Sequence, residues 1–523
     1  MTESPESFRV DALADYLKAC MQAEEVRVVA YSRLSGGAIQ DNFGVSVECR
    51  GGEWEGLHKL VVRSDAPSKV AVSLSRAEEF KVLQVAYEAG VTVPRPLWCC
   101  EDTSVIGVPF WVMARVGGTA SARELVREAG QNPARGQSLV RQLGRELARI
   151  HSISPSQAAG RLSFLRVPDE KPSFARVRQY RAALDAIPRP QPVLEWALNW
   201  LEAHAVDSGL RSLCHGDFRT GNYMVDDGQV SGVLDWEFAS FGDPYEDLGW
   251  LCARSWRFGA PEREVGGIGH RDDLYTAWEN ETGHNVDDTQ LRYWEVMGMV
   301  RWAIIALQQG ERHLSGEQPS LELALTGRML PEIELDILVT VMQIEGQPLG
   351  YNDLAPWQDG LGHPSAQESS LLAPHTANVL HIARQTLLNE LLPQLPKAST
   401  YDALMVANAM AAAMRDLNDA GRSSAGVKRA TCAFLETIPL AGNIALSSQG
   451  APPAGGQGMA ENGDPRETLA LALRRQAVPV EHEMALRRLL VLDTCTRLAL
   501  SNPKYLEAHR QSARATTTVE SGD

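Results

Sequence analysis

The sequence predicts an α+β fold of two lobes, a small antiparallel-sheet lobe and then a mainly helical lobe. A helical-bundle domain is expected beyond them. Three observations carry this. Between residues 26 and 114, short apolar runs rich in Val and aromatic residues alternate with turn signals around a single helical stretch. From Leu139 onward the apolar positions recur at helical spacing. The chain has 523 residues, more than one ordinary domain holds.

Taken in order, residues 8–22 read as a short helix with Val10, Leu13, Tyr16 and Leu17 on one side. Val26 to Leu34 reads as a strand with Val26, Val28 and Ala30 on one face. A turn of small residues, Ser35-Gly36-Gly37 running to Asn42, leads into a second strand at Phe43–Val47. Such a turn can lay backbone N–H groups over phosphates, although alone it reads as a plain hairpin. Leu57 to Val62 is the third strand and ends at Arg63. The helix from about Ser75 to Ala89 carries Phe80, Leu83 and Tyr87 on one face, stops at Gly90, and offers Glu78 and Glu79 as partners for Arg63. Pro94 and Pro96 break the chain, and Phe110–Ala114 is the last strand of the small lobe. Leu139, Leu143, Leu147 and Ile150 mark one helix of the larger lobe, and Leu194, Leu198 and Leu201 another. Tyr293–Leu307 is apolar nearly all round and is expected to be buried. Residues 342–373 are rich in Gly, Pro and polar side chains and read as a linker. Residues 374–505 read as three or four helices interrupted by a loop at 447–464, and residues 506–523 as a disordered tail.

The chemistry sits in Cys214-His215-Gly216-Asp217-Phe218-Arg219-Thr220-Gly221-Asn222, followed by Val233-Leu234-Asp235-Trp236-Glu237. Phosphoryl transfer needs a carboxylate that orients the attacking hydroxyl and takes its proton, and two oxygen ligands that hold Mg²⁺ on the ATP phosphates. Asp217 fits the base, Asn222 and Asp235 fit the metal ligands, and Arg219 can neutralise charge on the transferred group. Asp226-Asp227-Gly228 is a turn signal between two apolar runs, so Tyr223–Leu234 reads as a hairpin. That hairpin would return Asp235 to the side of Asn222.

In these motifs the chain resembles the aminoglycoside phosphotransferase and choline kinase group of small-molecule kinases. Asp235-Trp236-Glu237 is similar to the branch that includes the kinase domains attached to acyl-CoA dehydrogenases. The resemblance covers about residues 25–345. It implies a bilobal protein-kinase-like fold, with residues 1–116 as N-lobe and 117–341 as C-lobe. It places a nucleotide on Ser35, Gly36 and Gly37, on Arg63 with Glu79, and on a hinge at Met113, Ala114 and Arg115. Arg63 stands where kinases carry Lys; Arg keeps the charge and can bind phosphate bidentately with altered geometry. The segment Gly242-Asp243-Pro244-Tyr245-Glu246-Asp247-Leu248 resembles a family segment whose second Asp, here Asp247, buttresses the catalytic loop, and His215 is a support residue of the same kind. The C-terminal helices resemble a small helical domain that accompanies kinases of this branch, with docking, oligomer contact or a lid as its roles. A homo-oligomer formed through these helices is one expectation.

Composition narrows the classes. Lys plus Arg total 50 against 66 Asp plus Glu, a net charge of −16 that argues against nucleic-acid or membrane partners held by bulk charge. No stretch approaches the ~20 apolar residues of a membrane span. The acidic N-terminus lacks a signal-peptide core. None of the eight cysteines forms a Cys-x-x-Cys pair, so reduced, buried thiols in a cytoplasmic protein are expected.

Past Asp247 come Arg254, Trp256 and Arg257, which by family analogy face the acceptor. Two cations and aromatics suit a flat or anionic acceptor better than a polyamine. The plain alternative is that the arginines pair with acids and the aromatics fill core. The expected enzyme is an ATP- and Mg²⁺-dependent phosphotransferase acting on a hydroxyl of a small metabolite: a hydroxy acid, a hydroxyacyl-CoA or a phenol. Two alternatives stand beside it: an aminoglycoside O-phosphotransferase and a non-catalytic nucleotide-binding scaffold. ATP and GTP are not distinguished as donor.

Overall fold

The computed structural model describes residues 9–34, 40–65, 73–357, 376–438 and 464–520. By packing, the chain divides into two compact units. One is Met1–Pro172 with Val206–Glu295, and the other is Ser173–Ala205 with Val296–Asp523. Ser35, Gly36 and Gly37, the loop at 447–463 and residues 358–373 of the segment read as a linker lie outside the described residues.

The first unit begins with the helix Val10–Met21 and a five-stranded antiparallel sheet. Its strands are β1 (Glu25–Arg33), β2 (Gln40–Arg50), β3 (Gly56–Asp65), β4 (Pro96–Cys100) and β5 (Phe110–Ala114), in the order β1-β2-β3-β5-β4. Leu13, Leu17, Val45, Val47, Leu60, Val62, Phe110 and Val112 share one core. They alternate along β2, β3 and β5, as residues of one sheet face do, and Val61, Trp111 and Met113 between them are buried too. In β1 the register shifts between Val28 and Ala30, so the alternation expected from Val26 to Ala30 fails after Val28. The helix Arg76–Glu88 is started by a capping box in which Ser75 and Glu78 satisfy each other's backbone N–H. Glu78 is thereby spent at the helix end, and Glu79 faces the sheet.

The rest of the unit is mainly helical, with Ala122–Gln131, Pro133–His151, Tyr245–Cys252 and Arg271–Thr282 as its longer helices. Between them lie two short ladders: β6 (Ser212–Cys214) with β9 (Ser240–Gly242), and the hairpin of β7 (Tyr223–Asp226) with β8 (Gln229–Val233). Asp227 and Gly228 both have positive φ, 44° and 75°, which is the type I′ geometry that matches strand twist in a two-residue turn.

The second unit is helical among its described residues. Pro192–Ala203 packs on Pro465–Arg474 and on Leu330–Ile344, which in turn packs on Glu483–Ser501. Leu194, Leu198, Ile337, Leu469, Leu490 and Leu498 are buried there. Ion pairs such as Arg474 with Glu195 at 2.8 Å tie distant segments together. The domain limits drawn along the sequence follow the site motifs, whereas this division follows packing. Residues 506–523 were expected to be disordered; instead Pro503–Glu520 is a helix. It is fixed by burial of Leu506, by the Tyr505 hydroxyl donating to Asp336 at 2.9 Å, and by His509 at 3.2 Å from the same carboxylate. Among the described residues all eight cysteines are free, and no helix is long and apolar enough to cross a membrane.

The C-terminal helix is also anchored by Asn502, which donates to Glu332 at 3.1 Å. Burial pushes the Glu332 carboxyl up to about 7, with the neighbouring Asp336 charge adding to it. A raised carboxyl stabilises the fold fully below its ordinary range, and that stability is lost as pH rises through about 7. The melting temperature should therefore fall by about 2 °C or more between roughly pH 6 and 8. Glu332→Gln, neutral throughout, should flatten that slope; equal slopes in wild type and variant would contradict the assignment.

Candidate active site

The loop that leaves β6 is held from beneath by one buried carboxylate. Asp247, in the helix Tyr245–Cys252, accepts the backbone N–H of His215 at 2.7 Å and of Gly216 at 2.9 Å. Its oxygen Oδ2 also lies 3.2 Å from His151 Nε2. His151 Nδ1 accepts the Trp278 indole N–H at 3.0 Å, which assigns the proton to Nε2 and makes Asp247 the acceptor. Burial raises the Asp247 carboxyl, but these donors outweigh it and hold the group below its ordinary value. Gly216 turns the chain at φ 78°, where a Cβ would lie 2.3 Å from the Phe238 carbonyl oxygen. The His215 ring lies beneath the loop: Nδ1 accepts the Asp217 N–H at 3.1 Å, and Nε2 donates to the Leu234 carbonyl at 2.8 Å. Burial pushes this imidazole below its ordinary value, so it stays neutral and bridges the two segments that carry Asp217 and Asp235.

Asp217 is bound on both carboxylate oxygens. Asn222 Nδ2 donates to Oδ2 at 2.6 Å and to the Asp217 carbonyl at 2.9 Å. Trp250 Nε1 donates to Oδ1 at 2.8 Å, and Arg219 Nε lies 3.3 Å from the same oxygen. Asn222 therefore spends its nitrogen on the loop, and among the described residues its Oδ1 accepts no hydrogen bond. The hairpin brings Asp235 back: the Leu234 N–H donates to the Asn222 carbonyl at 2.8 Å, one step past the Tyr223–Val233 pair. Asp235 itself has φ 62°, a left-handed backbone rare outside glycine. Asn222 and Asp235 thus present a hard oxygen and a carboxylate, a donor set that suits Mg²⁺ together with phosphate oxygens.

Arg63 links the sheet to this loop. It is buried at the end of β3, paired in register with Asn42 of β2 and Trp111 of β5. Its Nη2 lies 3.0 Å from Glu79 and 2.6 Å from Asp235, and Nη1 donates to Asn42 at 3.4 Å. Burial opposes its charge, but Glu79 and Asp235 more than offset that and push its pKa above the ordinary value. Burial likewise opposes the Asp235 charge, but Arg63 outweighs it and holds that carboxyl below its ordinary value. Glu79 also meets Arg76 and accepts the Trp111 indole N–H at 3.3 Å. At the expected hinge, the Ala114 N–H donates to Arg95 at 3.0 Å and the Arg115 N–H to Lys59 at 3.0 Å. Those two donors are engaged within the protein and do not face a nucleotide base; Met113 lies in β5 beside them.

On the expected acceptor side the side chains separate. The Arg219 guanidinium lies 4.6 Å from the Trp256 ring centroid, and Trp256 meets Trp250 edge-on at 5.0 Å. Trp256 is buried and supports Arg219 instead of presenting a face to solvent. Arg254 is half-buried at the start of a short helical turn, Arg254–Trp256. Arg257 corrects the sequence expectation of an acceptor contact. It is buried, its Nε and Nη2 donate to the Cys252 carbonyl, its Nη1 donates to Pro261 at 2.9 Å, and Nη2 pairs with Glu295 at 3.0 Å. The Gly266-Gly267 segment is buried as well: Thr220 donates to the Gly266 carbonyl at 2.9 Å, and a Cβ on Gly266 would sit 2.2 Å from that hydroxyl oxygen. It is a brace for the loop that carries Asp217. Trp250, the donor to Asp217, was missed by sequence reasoning, although it follows Asp247 by one helical turn.

Residues 30–283 match the family described as "Phosphotransferase enzyme family". A mouse protein named acyl-CoA dehydrogenase family member 10 is 30% identical over 247 residues, 46% of this chain and 22% of that protein. Human acyl-CoA dehydrogenase family member 11 is 31% identical over 199 residues, 37% of this chain and 25% of that protein. The chain thus spans about a quarter of the length of these relatives. A solved structure of a putative aminoglycoside phosphotransferase from Ralstonia eutropha shares the fold with a TM-score of 0.51 at 20% identity, covering 64% of this chain and 98% of that one.

The placement of Arg257 is testable. Arg257→Met should lower unfolding stability by about 2–4 kcal/mol, because it strips a buried ion pair while Glu295 keeps Arg271 at 2.5 Å. Urea unfolding reads the loss. An unchanged midpoint together with a raised acceptor KM would return Arg257 to the acceptor side.

Proposed function

We propose that this chain, whose residues 30–283 form a domain of the phosphotransferase enzyme family, transfers the γ-phosphoryl group of ATP to a hydroxyl of a small metabolite. The observation that carries the reading is the loop itself. Asp217, Asn222 and Arg219 are fixed within hydrogen-bond or ion-pair reach of one another, and the hairpin returns Asp235 to the Asn222 backbone.

In this reading Asp217 orients the acceptor hydroxyl and takes its proton as the oxygen attacks phosphorus. Arg219, supported on the Trp256 ring, neutralises charge on the transferred group. Arg63, held by Glu79, presents its guanidinium to the nucleotide phosphates. Asn222 Oδ1 and the Asp235 carboxylate would hold Mg²⁺, which when bound neutralises charge on the phosphate oxygens. Buried His215 and Asp247 touch neither reactant and keep the loop in shape.

For the acceptor we favour a hydroxy acid, a hydroxyacyl-CoA or a phenol. A guanidinium held beside the base on a buried indole suits an anionic compound and repels a polycation. The relatives named as acyl-CoA dehydrogenase family members point the same way. An aminoglycoside acceptor is the second reading; the named aminoglycoside phosphotransferase shares only the fold. A scaffold without activity would not need Asp217, Asn222 and Asp235 all intact.

The test is ATP consumption with each acceptor class, followed by mass detection of the phosphorylated product. Asp217→Asn should keep nucleotide binding and lower kcat by a factor on the order of 10² or more. Asp235→Ala should abolish turnover at every ATP concentration. Near-normal turnover in Asp217→Asn would remove it from the role, and efficient use of an aminoglycoside alone would favour the second reading.

A further inference from the structure

The two oxygens of Asp217 are not equivalent. Oδ1 faces the Trp250 indole N–H at 2.8 Å and the Arg219 guanidinium at 3.3 Å. Oδ2 accepts the Asn222 amide at 2.6 Å and meets no second donor among the described residues. A carboxylate oxygen accepts about two hydrogen bonds. Trp250 is buried, sits in the same helix as Asp247, and meets Trp256 edge-on at 5.0 Å, so its indole is fixed by packing. One short helix thus braces the catalytic loop at two levels: Asp247 receives the backbone N–H groups of His215 and Gly216, and Trp250 holds the side chain of Asp217.

We infer that Trp250 is a positioning residue for the base, and that it fixes Oδ2 as the oxygen that takes the acceptor proton. The inference rests on the phosphotransferase reading above. In the step it describes, the acceptor O–H proton passes to Asp217 Oδ2 and the acceptor oxygen bonds to the γ-phosphorus. The bond from that phosphorus to the bridging oxygen breaks, and its electron pair leaves with ADP. The proton then returns from Oδ2 to solvent. A carboxylate free to rotate would offer either oxygen at a range of angles; the indole N–H removes that freedom without touching the reactants.

The probe is phosphate release from Mg·ATP by the full chain with water as acceptor. Trp250→Phe keeps an aromatic ring against Trp256 and removes the N–H. It should lower kcat about tenfold, the size of one lost hydrogen bond to a charged group, with the KM for ATP within about twofold of wild type. In an Asp217→Asn background the same change should have almost no further effect, because the partner it positions is already gone. A wild-type rate in Trp250→Phe, or the same fold-loss in both backgrounds, would overturn the inference. Equal phosphate release by wild type and Asp217→Asn would instead bring down the phosphotransferase reading, and this one with it. Should Trp250→Phe fail to fold, the indole N–H spectrum of the wild type still decides. One of the 12 Trp resonances should move strongly on Asp217→Asn, and coinciding spectra would refute the contact.

Discussion

The structure depends first on a charge placed where water does not reach. Asp247 is fully buried, and it remains an anion because two backbone N–H groups and a histidine converge on it. An unpaired carboxylate there would be costly, so the loop must supply its donors whenever the unit is folded. That requirement fixes the path of His215 and Gly216, and with it the direction in which Asp217 leaves the chain. The positive φ at Gly216 follows from the same demand, since no Cβ fits against the Phe238 carbonyl.

A second constraint ties the sheet to the loop. Arg63 reaches Glu79 on one side and Asp235 on the other, where a lysine would carry a single ammonium head. The fork of the guanidinium holds the helix carboxylate and the loop carboxylate together, an ion pair that the proposed reaction would have open to nucleotide phosphates. Because Glu78 is committed to the helix cap, the choice of Glu79 as partner is set by local helix physics one residue away.

Much of this was legible in the sequence. The strand that carries Arg63, the strand ending at Ala114, the helix capped by Ser75 and the hairpin around Asp227-Gly228 all carry strong local signals: alternation, a capping residue, a type I′ turn. The spacing of Asp217, Asn222 and Asp235 also reads directly, although the register shift between Met224 and Val225 that sets the Tyr223–Val233 pair does not. What escaped depends on partners far along the chain. β4 begins at Pro96, which reads as a break, and it forms because β5 pairs with it. The helix Pro503–Glu520 looks polar, and it is held by Asp336, which lies far earlier in the sequence. Arg257 was placed near the metal loop by its position, but the turn before it aims the guanidinium inward, onto Cys252 and Glu295. Trp250 drew no sequence expectation, and only the folded helix reveals that its N–H meets Asp217.

The central claim is that the buried Asp247 carboxylate holds the catalytic loop in its working shape before any substrate arrives. Amide hydrogen exchange of the full chain, followed over the peptide that contains His215 and Gly216, tests it directly. In the wild type without nucleotide these two amides should be protected by a factor on the order of 10³ or more, because exposing them requires opening a buried charged site. In Asp247→Ala the protection should collapse in this loop while the β1–β5 sheet keeps its own. Rapid exchange of both amides in the wild type would contradict the account.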